Sequence, residues 1–252
     1  MIEILILSLI QGITEFLPIS SSSHLIIISK YFNFQNQGLS IDVSLHIGSF
    51  IAVVFYFYKD IIDFIENKFL FLKIFISSLP VMIVGFYLIE LGIIEKLRNL
   101  EIIAWTTLVF GFLLYISDKF KLVNTIEKNF NFKSALLIGF FQILSLAPGV
   151  SRSGIAITAA RLLNYKRVDA AKISFLLSIP ILGAVSIFGL KNIIIYEDYN
   201  FNKINFFSIL LSFFFSLITI KYFLVFIKKS NLNFFVYYRV LLGMILLGFA
   251  YL

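Results

Sequence analysis

Six stretches of this chain, roughly residues 41 to 59, 69 to 90, 102 to 117, 173 to 190, 204 to 227 and 234 to 252, are apolar over lengths that suit a bilayer. A helix needs about 20 such residues to cross the hydrocarbon core. The remaining composition agrees: 60% of the residues are hydrophobic and 14% charged, where a soluble domain would carry about 25% charge. The expected fold is therefore an all-α polytopic membrane protein. Two further apolar stretches, 1 to 30 and 134 to 164, are broken in the middle by Pro18 and by Pro148-Gly149. No cysteine is present, which excludes a disulfide framework and thiolate chemistry. The N-terminus has neither a basic region nor a small-residue cleavage site, so it reads as mature protein.

The two broken stretches resemble each other. Gln11-Gly-Ile-Thr-Glu-Phe-Leu-Pro18-Ile-Ser20-Ser21 and Gln142-Ile-Leu-Ser-Leu-Ala-Pro148-Gly-Val-Ser151-Arg152-Ser153 share a glutamine, an apolar turn, a proline and a serine cluster. Each is followed by three long apolar spans. If each broken segment enters and leaves on one face of the membrane, each half makes three crossings and the second half is inverted relative to the first. That predicts two inverted-topology repeats, each a re-entrant helical hairpin plus three transmembrane helices, with the hairpin tips meeting near the midplane. Irregular backbone at that depth survives only against protein or a water-filled cavity. The expected organisation is one membrane domain over 1–252: repeat one at 1–117 with its hairpin at 1–30, a cytoplasmic connector at 118–133, and repeat two at 134–252 with its hairpin at 134–164.

Charge placement orients this threading. One side holds Lys30, Lys96, Arg98, Lys191 and Lys203. The other holds Lys59, Lys68, Lys73, Lys119, Lys121, Lys128, Lys133, Arg161, Lys166, Arg167, Lys172, Lys221, Lys228 and Lys229. An excess of about threefold marks the second side as cytoplasmic. The first hairpin then opens to the outside and the second inward. The net charge of +7 suits an anionic inner leaflet and gives no reason to expect nucleic acid.

Residues 11 to 24 concentrate polar groups in an otherwise apolar environment. An ionisable residue in a membrane segment costs roughly 2.5 to 3.5 kcal/mol even on the lenient insertion scale, so it marks a functional site by default. Glu15 and His24 are the candidates here. Ser21 or Ser20 is a candidate nucleophile, with Glu15 or His24 as base and His24 able to protonate a leaving oxygen; a serine run after Pro18 is also how a new helix is capped. In the second hairpin, Arg152 lies between Ser151 and Ser153, after Gly149 and before a helix expected over 154 to 163. A guanidinium at a helix N-terminus suits phosphate oxygens. The bland alternative is an Arg152–Glu15 ion pair that pins the hairpins together. Gln11, one turn before Glu15, shares its face, and His46 lies at a similar depth, either lining the site or making an interhelical hydrogen bond. Asp60, Asp63 and Glu66 read as a wet loop. There is no Gly-rich nucleotide loop and no metal-ligand His/Cys spacing.

Taken together, these motifs resemble the undecaprenyl-diphosphate phosphatase family, the bacitracin-resistance lipid phosphatases. The resemblance rests on Gln11 and Glu15, on Phe16 to Ser21 with His24 beyond them, on Pro148 to Ser153, and on His46-Ile-Gly48-Ser49 and Phe175 to Pro180. It implies hydrolysis of undecaprenyl diphosphate to undecaprenyl phosphate and inorganic phosphate. That reaction recycles the lipid carrier for peptidoglycan synthesis and confers bacitracin resistance. By matching positions, Glu15, Ser21, His24 and Arg152 form the catalytic set, with Gln11, Ser20, Ser151, Ser153, Gly149 and His46 at the substrate. The resemblance further implies a divalent cation, magnesium or calcium, bridging the diphosphate and Glu15. It implies a bacterial inner-membrane location with the site opening to the periplasmic face, and it is compatible with a homodimer. The chain departs from the family at Ala156, where members often carry a threonine.

A diphosphate on a polyprenyl tail requires an anion pocket and a lipid-facing slot. A transporter or flippase of lipid phosphates would use the same inverted architecture, but it would need Arg152 and not the chemistry of Ser21 and His24.

Overall fold

The computed structural model describes residues 1–32, 34, 38–66, 68–195 and 203–251. All named elements among them are helical. The first broken stretch forms α1 (Ile2–Thr14) and α2 (Ser21–Phe32). The next helices are α3 (Leu39–Tyr56), α4 (Tyr58–Glu66), α5 (Lys68–Glu90), α6 (Ile93–Leu97) and α7 (Leu100–Asp118). The second broken stretch follows a short α8 (Ile126–Asn129). It forms α9 (Phe132–Ile143), a 3-10 turn at Leu144–Leu146 and α10 (Arg152–Leu162). The chain ends in α11 (Arg167–Ile195), α12 (Lys203–Lys229) and α13 (Asn233–Tyr251).

Six of these helices, α3, α5, α7, α11, α12 and α13, are long and apolar enough to cross a membrane. They match the six expected spans to within a few residues at most ends; α11 alone extends well beyond its expected limits. By contrast α1, at 13 residues, rises only about 20 Å and is too short to span alone. The segment of Asp60, Asp63 and Glu66 is helix α4 and not loop. Asp60 there pairs with Lys172 of α11 at 2.5 Å. The charges lie about one turn apart, a spacing that a helix accommodates as readily as a loop does.

Helix association inside a bilayer cannot draw on the hydrophobic effect and depends on close backbone approach and hydrogen bonds. Between α3 and α12 a ladder of small polar residues supplies both. Ser49 lies 3.2 Å from Ser212 and 3.0 Å from Ser216, Ser212 donates to the Leu45 carbonyl at 2.7 Å, and Asn205 donates to Ser44 at 3.0 Å. Two other contacts depend on glycine. A Cβ at Gly12 would meet the backbone of α12 at Phe215 and Ser216, and one at Gly139 would collide with the Ser77 carbonyl of α5.

One end of the bundle is tied by Asp118. Its carboxylate accepts from Arg167 at 2.7 and 3.0 Å and from the Leu232 amide at 3.1 Å, and it lies 3.4 Å from Arg161. Arg161 is fully buried and also donates to the Tyr165, Phe120, Lys121 and Asp118 carbonyls. One carboxylate thus joins the end of α7 to the α10–α11 corner and the α12–α13 corner.

Replacing Gly139 with valine forces α9 off α5 and should cost about 1–3 kcal/mol, the usual penalty of overpacking. Gly248→Ala, where an added Cβ meets nothing within 4 Å, should leave the unfolding midpoint in detergent unchanged. Equal midpoints for the two variants would contradict the close-contact role of Gly139.

Candidate functional site

The site begins where α1 ends. Glu15 closes the last helical turn, its amide donating to the Gln11 carbonyl at 3.0 Å, and the chain turns through residues 15 to 19. Pro18 has no amide hydrogen to continue the helix, and the Ile19 amide turns back to the Leu17 carbonyl at 2.8 Å. Ser20 follows in the left-handed region at φ 74°, and α2 starts at Ser21. The second break ends the same way. Gly149 at φ 94° is followed by Ser151 at φ 71°, and α10 starts at Arg152. Gly149 cannot be replaced by a larger residue, since a Cβ would collide with Thr106 Oγ1 and the Ile103 carbonyl. Left-handed serines are uncommon and cost free energy that the surroundings must offset.

Ser21 and Arg152 therefore hold equivalent positions, each the first residue of a helix, and both grip Glu15. The Arg152 guanidinium donates through Nη2 to Glu15 Oε1 at 2.6 Å. The Ser21 hydroxyl donates to Glu15 Oε2 at 2.5 Å, and the Gln11 amide donates to the same oxygen at 3.1 Å. Glu15 is 6% exposed, so its charge is neutralised and hydrogen-bonded as a buried carboxylate requires. The second hydrogen of Gln11 Nε2 points to His46 Nδ1 at 3.0 Å. Since an amide NH₂ only donates, a neutral His46 carries its proton on Nε2. His46 lines a cavity of about 860 Å³ together with Ser29, Asp42 and Arg98. The interhelical hydrogen bond expected of His46 thus links this cavity to Glu15 through one amide.

Other predicted residues are near but differently engaged. His24 Nδ1 lies 2.6 Å from the Ser20 carbonyl, which can only accept, and Nε2 lies 2.5 Å from the Tyr238 hydroxyl. A neutral His24 therefore accepts from Tyr238, and its ring stacks on the tyrosine at 5.7 Å. The base in contact with Ser21 is Glu15, not His24. Ser20 hydrogen-bonds Ser23 at 3.0 Å. Ser151 accepts from the Gly154 amide at 3.1 Å as the cap of α10, and Ser153 donates to the Leu17 carbonyl at 2.7 Å, fastening one turn to the other. Gln142, the counterpart of Gln11, is fully buried, and its amide makes no hydrogen bond among the described residues. Ala156 is buried in the main apolar cluster.

Sequence reasoning missed Arg239 and Tyr238. Arg239 of α13 is fully buried. Its guanidinium donates to the carbonyls of Pro18 at 3.1 Å, Val150 at 3.0 Å and Gly149 at 2.8 Å, and to Thr107 of α7 at 3.2 Å. It joins both turns to two spans. A signal was available: an arginine within an apolar span is itself a site candidate.

A metal cage of protein ligands does not fit. Among the described residues no three His, Cys, Asp or Glu side chains cluster. Glu15 fits only as the single carboxylate ligand of a cation whose other ligands come with the substrate, the usual habit of magnesium at phosphates.

Fold and site together define a multi-pass helical membrane protein with a buried acid–serine–arginine cluster suited to an anion. The chain matches the model of the bacitracin resistance protein BacA family over residues 4–245, and it belongs to that family. An undecaprenyl-diphosphatase of Pelagibacter ubique (strain HTCC1062) is 50% identical over 251 residues, 99% of this chain and 98% of the relative. Those of Jannaschia sp. (strain CCS1) and Saccharophagus degradans (strain 2-40 / ATCC 43961 / DSM 17024) are 38% and 43% identical, over 98% and 94% of this chain and 97% and 93% of their own.

Replacing Arg239 with methionine leaves several buried carbonyls unpaired, each worth about 1–3 kcal/mol. Arg239→Met should lower the unfolding midpoint in detergent sharply, and Arg239→Lys should recover only part of the loss because one ammonium cannot span both turns. An Arg239→Met protein as stable as the parent would contradict the bridging role.

Proposed function

We propose that the chain hydrolyses undecaprenyl diphosphate to undecaprenyl phosphate and inorganic phosphate. In this reading it is a polytopic enzyme of the bacterial inner membrane with its site open to the periplasmic face. Family membership and relatives that carry the name undecaprenyl-diphosphatase support the reaction. The observation that carries it to particular residues is the sharing of one carboxylate between the Ser21 hydroxyl and the Arg152 guanidinium.

The two-repeat organisation belongs to the same proposal, with repeats at 1–117 and 134–252 around a connector at 118–133. Helix pairing supports it. If α1, α2, α3, α5 and α7 correspond to α9, α10, α11, α12 and α13, then the pair α1–α12 must recur as α9–α5 and the pair α3–α12 as α11–α5. Both recur, and α3–α11 and α7–α13 pair with their own counterparts, as a two-fold relation requires. The short α1 and α9, each followed by a turn and a second helix, suit re-entrant hairpins.

In the proposed reaction the terminal phosphorus sits over Ser21 Oγ. Glu15 Oε2 takes the hydroxyl proton as the Oγ–P bond forms and the bridging P–O bond breaks, releasing undecaprenyl phosphate. Glu15 passes that proton to the departing undecaprenyl phosphate and, a carboxylate again, takes one from the water that attacks the phosphoserine, returning it to Ser21 Oγ as the Oγ–P bond breaks and inorganic phosphate leaves. Arg152 uses one nitrogen for Glu15 and among the described residues makes no other hydrogen bond, so Nε and Nη1 can turn to phosphate oxygens. Phosphoryl transfer asks mainly for such positioning and charge neutralisation. The N-terminus of α10 adds backbone amides, and Ser151 and Ser153 hold that end in place. His24, with both ring nitrogens engaged by Ser20 and Tyr238, holds the Ser20 turn that leads into Ser21. A magnesium or calcium ion held by Glu15 and the diphosphate would offset further charge.

Detergent-purified protein should release phosphate from undecaprenyl diphosphate, and Glu15→Ala should abolish release; a lipid-phosphate transporter would bind without releasing any. Arg152→Lys should lose about 10²–10³-fold in turnover, and near-normal activity would refute the forked contact. Rapid quench should trap phosphate on Ser21. An active Ser21→Ala with no trapped phosphate would transfer the attack to water.

A further inference from the structure

A second cavity, of about 500 Å³, lies between α5 and α11. Its walls are Val81, Gly85, Ile181, Val185 and Phe188, and Leu146 of the second broken stretch lies against Gly85. The wall is apolar apart from Lys191. Phe86 and Ile89 on α5 and Ile187 on α11 are half or more exposed, so the groove opens sideways toward lipid. Both walls carry a proline at the inner end, Pro80 and Pro180. Three residues, Ile89, Val185 and Phe188, line this groove and also the cavity that contains His46. The polar chamber and the apolar groove are therefore neighbours across a partition of three side chains.

We propose that this groove receives the first prenyl units of the substrate's tail. The proposal rests on the diphosphatase reading above and assigns a place to the part of the substrate that the chemistry does not touch. A diphosphate near Glu15 and His46 has an anionic end that belongs in the chamber and a hydrocarbon end that must reach the bilayer. The chamber mixes Asp42, His46 and Arg98 with apolar side chains, so hydrocarbon held there would desolvate charged groups, at a cost the groove does not impose. The groove offers apolar contact, adjoins the chamber at Ile89, Val185 and Phe188, and opens to lipid at Phe86, Ile89 and Ile187. From Val81 to Ile89 it follows about 12 Å of helix at 1.5 Å per residue. Gly85 keeps it open, since a Cβ there already approaches Leu146 Cδ2 at 3.2 Å. Ile89, Val185 and Phe188 then act as the collar through which the chain passes.

Gly85→Leu and Ala184→Phe fill the groove from opposite walls and touch none of Glu15, Ser21 or Arg152. Each should raise KM for undecaprenyl diphosphate at least tenfold while kcat stays within about threefold. Ile83→Phe, on the bilayer-facing side of α5 outside the groove, should change neither. If both filled variants keep KM within twofold, or lose kcat at unchanged KM, the tail does not run here and the groove at most holds a phospholipid acyl chain. If the parent protein itself releases no phosphate from undecaprenyl diphosphate, it is the diphosphatase reading that fails.

Discussion

A polypeptide that stops being helical inside a bilayer must find partners for the carbonyls it releases, and the whole site depends on how this chain does so. The two breaks satisfy each other. Ser153 of one turn donates to Leu17 of the other, and Arg239 donates to Pro18, Gly149 and Val150 at once. An unpaired carbonyl in hydrocarbon costs several kcal/mol, so neither break is tenable alone. The requirement that stabilises the fold is also what brings residues 137 positions apart, Glu15 and Arg152, into contact.

The proposed catalytic arrangement follows from that constraint. Because each break ends in a left-handed serine followed by a helix start, the residues at the two starts, Ser21 and Arg152, point to a common centre. A carboxylate at that centre has its charge balanced by arginine and one oxygen bonded to a hydroxyl. Phosphate arriving there meets the guanidinium, and the hydroxyl is already donating to a base. The Arg152–Glu15 pair is both a clamp between the two breaks and, in the proposed reaction, the centre of the site.

Much of the fold was legible because six long apolar runs have few alternatives in a membrane, and because Pro18 and Pro148 announce their breaks. The candidate cluster was partly legible from Glu15 and Arg152, charges in segments where charge is costly. Less could be read where a role depends on backbone far away in sequence. Arg239 has no motif around it, and its partners are carbonyls of two turns 89 and 221 residues distant. The partner of His24 on Tyr238 lies equally far off, so its role toward Ser21 could not be told from spacing. The helix at Tyr58–Glu66 is not legible from its charges, because charge pattern alone does not separate helix from loop.

The central claim is that the two breaks meet, with Glu15 and Arg152 side by side. The chain has no cysteine, so a Glu15→Cys, Arg152→Cys pair can be introduced without background and treated in native membranes with a short crosslinker bearing two thiol-reactive methanethiosulfonate groups. After cleavage in the connector between residues 118 and 133, the account predicts that the two halves remain covalently joined, and that a control pair with its second cysteine at Gly248 does not. Halves that separate as freely in the first pair as in the control would contradict it.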